Sequence, residues 1–269
     1  MNDTFKHGIA EASKLIQAYT YPLFRVGKNS LPDIFASCVF LEMNKSIYLV
    51  SAAHAIRGNT SGLLTRGNGQ LMDVVGHATV SCSDGKDHFD ISAICMNDEI
   101  VHEHNINVIP ETMLATSVEV TNPHSRAICG FPFSMNKPVK SIDRQAKIIT
   151  SKCYTFFGFA GFDGDFREFG KSSGTHLGIE FGSGKDDAGK ILSTPPWPPR
   201  GMSGGGAWLV PDLSCPDLVF LEGIFIEGHK HAKKMYGFST QITHVIDFIN
   251  HTHNNGFHRS SSPIGTSRR

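Results

Sequence analysis

A chain of 269 residues with 40% apolar and 19% charged side chains can bury a substantial core, which excludes global disorder. Its 25 basic and 25 acidic groups cancel to a formal net charge of zero, so there is no electrostatic footprint for nucleic acid and no polybasic arm. No apolar run approaches the roughly 20 residues needed to span a bilayer. Met1-Asn2-Asp3-Thr4-Phe5-Lys6 shows no basic leader ahead of an apolar core, so neither membrane insertion nor secretion is expected and a cytoplasmic location is.

In chain order, residues 5–18 set Phe5, Ile9, Ala12, Leu15 and Ile16 near one face of a short amphipathic helix. The texture then changes to strands. Apolar runs at 38–41 and 47–50 flank Glu42-Met43-Asn44-Lys45-Ser46 and read as a β-hairpin. Further strand-like runs cover 71–81, 89–95, 125–130, 139–150, 153–157, 176–181, 206–210, 218–227 and 234–242. Turn signals at Asp84-Gly85, Asn122-Pro123, Asp163-Gly164 and Gly182-Ser183-Gly184 punctuate them. The only other helix expected is 243–251. Strands spaced by turns without intervening helices predict an all-β sandwich or barrel, with a border between two β halves near 117–122. The tail, 256–269, is rich in Ser and Arg and is expected to be disordered. The six cysteines, Cys38, Cys82, Cys95, Cys129, Cys153 and Cys215, form no Cys-x-x-Cys pair, so neither a zinc site nor a redox motif is indicated and free thiols are expected.

Three short segments carry chemistry. Gly201-Met202-Ser203-Gly204-Gly205 places a serine in a glycine-rich turn before the strand-like Gly206-Ala207-Trp208-Leu209-Val210. A free serine hydroxyl is a poor nucleophile and needs a base, while backbone N–H groups in a tight turn, here those of Gly201 and Ser203, are suited to meet a developing oxyanion. His54 follows an apolar strand that ends in small residues, Ser51-Ala52-Ala53, which allow an imidazole to pack closely. Asp90 opens the run Ile91-Ser92-Ala93-Ile94-Cys95. A carboxylate at the head of a core strand requires a partner, and His54 is the natural one. Asp84, Asp87 and Asp98 sit in turn-like contexts and read as solvated acids.

With its order His, Asp, Ser, the chain resembles the trypsin-like (chymotrypsin-fold) serine peptidases over roughly residues 20–250. The family's Ala-Ala-His stands as Ala52-Ala53-His54, its strand-opening aspartate as Asp90-Ile91-Ser92-Ala93, and its Gly-x-Ser-Gly-Gly as Gly201 to Gly205. Gly223-Ile224-Phe225-Ile226-Glu227-Gly228, Gly237-Phe238-Ser239-Thr240 and the helix at 243–251 follow in the family's order, and Gly130-Phe131-Pro132 is similar to a turn of its bacterial members. The resemblance implies two six-stranded β-barrels with the catalytic site between them. It divides the chain into a helical extension (1–19), a first barrel (20–120), a second barrel (121–242), a C-terminal helix (243–255) and the tail (256–269). It also implies peptide-bond hydrolysis of a protein or peptide substrate through His54, Asp90 and Ser203, with a regulatory protein partner open and no cofactor or metal.

Departures from the family pattern shape further expectations. Met202 stands where zymogen-activated members carry an aspartate that pairs with a new N-terminal amine, so activation of that kind is not expected. Ala55 replaces a disulfide cysteine, and Ile226 replaces a serine that often backs the aspartate. Trp197 occupies the position of the trypsin subset's pocket aspartate, so no preference for Lys or Arg is implied. Trp197, Arg200, Ile226, Gly228 and Gly237 are the candidate pocket residues, the two glycines leaving room for an apolar or medium-sized side chain. An α/β-hydrolase elbow would need the order Ser, acid, His among alternating helices, which is absent. A catalytically weak module used for binding is the alternative from a different class. His102-Glu103-His104, His229-Lys230-His231 and His251-Thr252-His253 match no metal-binding pattern and are expected in solvated loops.

Overall fold

The computed structural model describes residues 3–26, 32–57, 62–81, 89–116, 118, 125–136, 142–143, 148–149, 151–158, 160–161, 164–181, 195, 198–231, 234–254 and 263–264. Two curled antiparallel sheets with few helices make up the fold. The first is built mainly from β1 (Thr20–Val26), β2 (Pro32–Met43), β3 (Ser46–Ala52), β4 (Leu63–Gly67), β5 (Gln70–Asp73), β6 (Gly76–Val80) and β7 (Ile91–Met96). The second holds β8 (Ser125–Gly130), β11 (Tyr154–Gly158), β12 (Ala160–Gly161), β13 (His176–Phe181), β14 (Gly206–Val210), β15 (Phe220–His231) and β16 (Lys234–Gln241). Two-residue strands β9 (Ile142–Asp143), β10 (Ile148–Ile149) and β17 (Pro263–Ile264) extend the first sheet, which runs β17-β6-β7-β3-β2-β1-β4-β5-β10-β9. The second runs β11-β8-β14-β15-β16-β13-β12.

Local chemistry accounts for these elements. The β2–β3 hairpin closes on Asn44 (φ 53°) and Lys45 (φ 61°), both left-handed as a two-residue primed turn requires. Helix α1 (Asp3–Ala18) buries a stripe of Gly8, Ala12 and Ile16, one residue toward its N-terminus from part of the expected face. Helix α4 (Ile242–Asn254) buries Ile242, Val245, Ile249 and Thr252. Both helices cover a shared core in which Val39, Tyr48 and Val50 of the first sheet meet Ala127, Trp208 and Ile224 of the second. Because this apolar layer lies between the sheets, loops from each are brought face to face. Among the described residues no helix is long and apolar enough to cross a membrane.

Several expectations need correction. The run 71–81 is two strands, β5 and β6, broken at Val74-Val75. Strands β1 and β4 were not expected: Pro22 lies inside β1, but its carbonyl still accepts from Thr65 Oγ1 (2.8 Å). Two one- to two-turn helices also appear, α2 (Ala53–Ile56) and α3 (Asp98–Glu103). In α3, Asn97 caps the N–H of Glu99, and Asp98 sits in the first turn, exposed. Within 139–150 the described residues form a strand pair that joins the first sheet through Ile148 opposite Gln70. In the tail, Pro263 and Ile264 pair with His77 and Gly76, and its other residues lie outside the described ones. Asp84, Asp87 and nearly all of the border at 117–122 lie outside the described residues.

Candidate active site

β3 delivers the chain to the edge of the interface, where the fully buried small residues Ser51, Ala52 and Ala53 lead into the single turn α2 that carries His54. Asp90 stands immediately before β7, whose Ile91 is paired with Ala52. The backbone of Asp90 is left-handed (φ 52°), a region that aspartate tolerates better than most residues. This bend lets one residue hold three groups. The Asp90 carbonyl accepts from Ala53 N (2.8 Å), Oδ1 accepts from His54 N (2.8 Å), and Oδ2 lies 2.5 Å from His54 Nδ1. A carboxylate at that distance keeps the proton on Nδ1, so Nε2 across the ring presents its lone pair. The second sheet steadies the bend, since Thr240 Oγ1 of β16 donates to the carbonyl of Phe89.

The serine turn is held by backbone geometry. Gly201 (φ 88°) and Gly204 (φ 89°) are left-handed, which side chains disfavour. Gly204 N donates to Phe225 O (2.7 Å) and Gly205 N to Met202 O (3.0 Å). From the first sheet, Ser37 N donates to Ser203 O (2.9 Å), and Ser37 Oγ donates to Gly201 O (2.7 Å) while accepting from Phe131 N (3.0 Å). The Arg200 carbonyl is taken by Phe133 N (2.8 Å). In a trans peptide the N–H points opposite to the C=O, so the Gly201 N–H faces away from Phe133. Among the described residues no carbonyl accepts from Gly201 N or Ser203 N, which leaves two donors on the turn for an incoming oxyanion. Met202, completely buried, packs with Ile128, Phe156, Phe181 and Phe225.

His54, Asp90 and Ser203 line one cleft of about 490 Å³. The histidine and aspartate are joined; the serine is not yet joined to them. Ser203 Oγ donates to the carbonyl of Ile226 (3.0 Å), and among the described residues it makes no hydrogen bond to His54. Of the five candidate pocket residues, Arg200, Ile226 and Gly228 line this cleft, and Trp197 lies outside the described residues. Gly237 pairs with Gly228 across β15 and β16. A side chain at either glycine would be crowded. A Cβ at 228 would lie 2.8 Å from Pro199 Cγ, and one at 237 would lie 2.9 Å and 3.2 Å from the Phe181 and Phe225 rings.

Residues that sequence reasoning missed complete the cleft. Lys171, whose side chain is only 11% exposed, pairs with Glu227, and His229 Nε2 lies 3.3 Å from the other Glu227 oxygen. Burial raises the Glu227 carboxyl, but the Lys171 ammonium, aided by His229, outweighs this and holds it below the usual glutamate value. Nothing in the spacing of 171 and 227 signals this pair. Ser37 did leave a signal: a lone hydroxyl in the apolar run 34–41 needs a buried partner. The histidine pairs are corrected too. His102 is in α3, His229 and His231 are in β15 with both rings against Phe169, and His253 in α4 meets Tyr48 Oη at 2.7 Å. Among the described residues no group of His, Cys, Asp or Glu could hold a metal ion.

Comparison with solved structures names the architecture. The chain is similar to kallikrein-related peptidase 10 in complex with Zn2+, with a TM-score of 0.51 and 17% identity over 89% of this chain and 97% of that one. It has the chymotrypsin fold. It is similar also to the scabies mite inactivated protease paralogue S-I1, with a TM-score of 0.51 and 12% identity over 90% of this chain and 97% of the other. No family model and no curated protein matches the sequence.

Proposed function

We propose that this chain is a serine endopeptidase of the trypsin-like type. The observation that carries the proposal is the double grip of Asp90 on the backbone N–H and Nδ1 of His54, at the rim of a cleft that also holds Ser203. His54 takes the proton of Ser203 as the hydroxyl attacks the peptide carbonyl, then returns it to the leaving amine. The tetrahedral oxyanion is received by the N–H groups of Gly201 and Ser203, each worth about 3 kcal/mol in comparable sites. The acyl-enzyme is released by water activated through His54. Asp90 fixes the ring tautomer and supports the imidazolium. Serine hydroxyls in resting sites commonly sit off the line of attack and align when substrate enters, and here the Ser203 hydroxyl must first leave the Ile226 carbonyl. Met202 makes the turn independent of an N-terminal amine, so no cleavage-triggered activation is required.

A second reading, a binding module on the same fold, draws support from the hydrogen bond of Ser203 Oγ to Ile226 instead of His54. One experiment separates the two. A fluorophosphonate probe should label the purified chain covalently, and Ser203→Ala and His54→Ala should each abolish labelling. A folded wild type that stays unlabelled refutes the peptidase reading and leaves the binding module.

A further inference from the structure

Cys129 in β8 and Cys153, just ahead of β11, hold their Sγ atoms 3.2 Å apart. The register accounts for this proximity. Thr155 is the direct partner of Cys129 across the two strands, and Cys153, two residues before Thr155, projects from the same face as its diagonal neighbour. Cys129 is buried and Cys153 is partly exposed. Thr155 Oγ1 donates to Cys129 Sγ (3.5 Å) and accepts from Gln17 Nε2 of α1 (3.2 Å). The pair adjoins the support of the serine turn. Gly130 and Phe131 follow Cys129 directly, and Phe131 N is held by Ser37 Oγ. Asn136 Oδ1 accepts from Lys152 N (2.7 Å), and its Nδ2 donates to Lys152 O and Pro132 O (both 3.0 Å). The residues flanking both sulfurs thus belong to one hydrogen-bonded patch.

We propose that Cys129 and Cys153 form a reversible dithiol–disulfide site that takes hydrogen peroxide as its oxidant and clamps β8 to the start of β11. The partly exposed Cys153 thiol accepts one peroxide oxygen and becomes a sulfenic acid, releasing one water. The Cys129 sulfur attacks Cys153 Sγ, so the S–O bond breaks, the S–S bond forms and the departing oxygen leaves as a second water. Two thiols lose two electrons, and the peroxide O–O bond accepts them. Hydrogen bonds from Cys153, Thr155 and the Gly130 N–H hold Cys129 below the ordinary thiol range despite its burial, while burial and the adjoining Cys129 sulfur raise Cys153, so Cys153 reacts through its minor thiolate form and is oxidised slowly. Bringing the sulfurs from 3.2 Å to bonding distance needs a shift of about 1 Å, within reach of side-chain adjustment.

The test uses the full chain, fully reduced, exposed to hydrogen peroxide, alkylated and digested without reductant. The expected result is an intact mass lower by two hydrogen atoms and one cross-linked peptide joining Cys129 to Cys153. Dithiothreitol should reverse both. The oxidised chain should also melt at a higher temperature than the reduced chain, because the bridge spans 24 residues. Cys153→Ala and Cys129→Ser should each lose the cross-link and the shift. A folded wild type that gives no cross-linked peptide, bridges a different cysteine, or gains only sulfinic acid overturns the proposal. No substrate enters this measurement, so its outcome is independent of whether Ser203 is reactive.

Discussion

Replacing Ser37 with alanine tests whether the first sheet holds the serine turn in place. Its hydroxyl serves two buried backbone groups at once, donating to Gly201 O (2.7 Å) and accepting from Phe131 N (3.0 Å), and the residue is completely buried. Alanine leaves both without a partner, at about 1–3 kcal/mol for each orphaned group, or about 2–6 kcal/mol together. For a chain of this size, roughly 2–4 °C is lost per kcal/mol, so the melting temperature should fall by roughly 4–24 °C. The fall in reactivity should be larger than the lost stability explains. The Gly201–Met202 peptide lies between the two peptides that carry the Gly201 and Ser203 N–H donors, so its rotation once the Gly201 carbonyl is free displaces a neighbouring donor, and losing one oxyanion donor costs on the order of 10²–10³ in rate. Calorimetry and the rate of fluorophosphonate labelling below the melting transition read the two effects separately. If Ser37→Ala melts with the wild type and labels at the same rate, the turn is held by its own glycines and the argument from Ser37 is wrong.

The other expectations concern the triad, the buried methionine and the cleft ion pair. Asp90→Asn should preserve the far-ultraviolet circular dichroism yet cut turnover of a peptide substrate by about 10⁴-fold, because the amide favours the wrong imidazole tautomer; unchanged turnover would show that the orienting acid is another residue. Met202→Asp, which installs the residue that zymogen-activated trypsin-like peptidases carry, should cost more than about 4 kcal/mol and yield little soluble protein, since its carboxylate would sit among Ile128, Phe156, Phe181 and Phe225. Wild-type urea unfolding of that variant would contradict the packing. Glu227 titrates below its ordinary value of 4.5 in the folded chain. The unfolded state therefore binds the proton first as pH falls, so the stability from its pairing is present above about pH 4.5 and is lost as pH drops through the lower folded value. Melting curves of wild type and Glu227→Gln should thus differ at neutral pH and converge in acid; a difference that persists unchanged in acid would rule out the pairing as its source.

What could be read from the sequence was chemistry that imposes a local pattern. His54 needed small residues before it, Ser203 needed glycines around it, and Asp90 had to stand at the head of a strand; each requirement is met within five residues. The strands of the hairpin, β8, β13, β14 and β16 were legible for the same reason, since apolar runs end at turn residues. Contacts between distant segments left no such trace. Ser37 and Gly201 are 164 positions apart, and Thr240 and Phe89 are 151 apart. β1 was hidden by Pro22, which forbids one ladder donor without forbidding the strand. The pocket was less legible, because glycine reports only that a Cβ is excluded. Whether the excluded volume is open or occupied depends on Pro199, Phe181 and Phe225, which come from elsewhere in the chain.

The serine turn shows how such a turn can be held without a charge beneath it. An ion pair buried beneath such a turn must overcome the desolvation of both partners. Met202 instead gains from burial, about 1.5–3 kcal/mol for a side chain of its size, and meets the apolar surface of Ile128, Phe156 and Phe225 with no partner to wait for. Orientation then falls to the backbone. Ser37 takes the carbonyls of Gly201 and Ser203, Phe133 takes that of Arg200, and Phe225 takes the N–H of Gly204. Every one of these donors and acceptors belongs to a strand or turn that the fold itself builds, so the turn forms when the two sheets meet. Under the proposed function, reactivity is then limited by the side chain of Ser203. Its hydroxyl must leave the Ile226 carbonyl for His54 Nε2, a rotation that an occupant of the cleft can drive by competing for that carbonyl. Substrate would in that way complete the triad at the moment it supplies the bond to be cut.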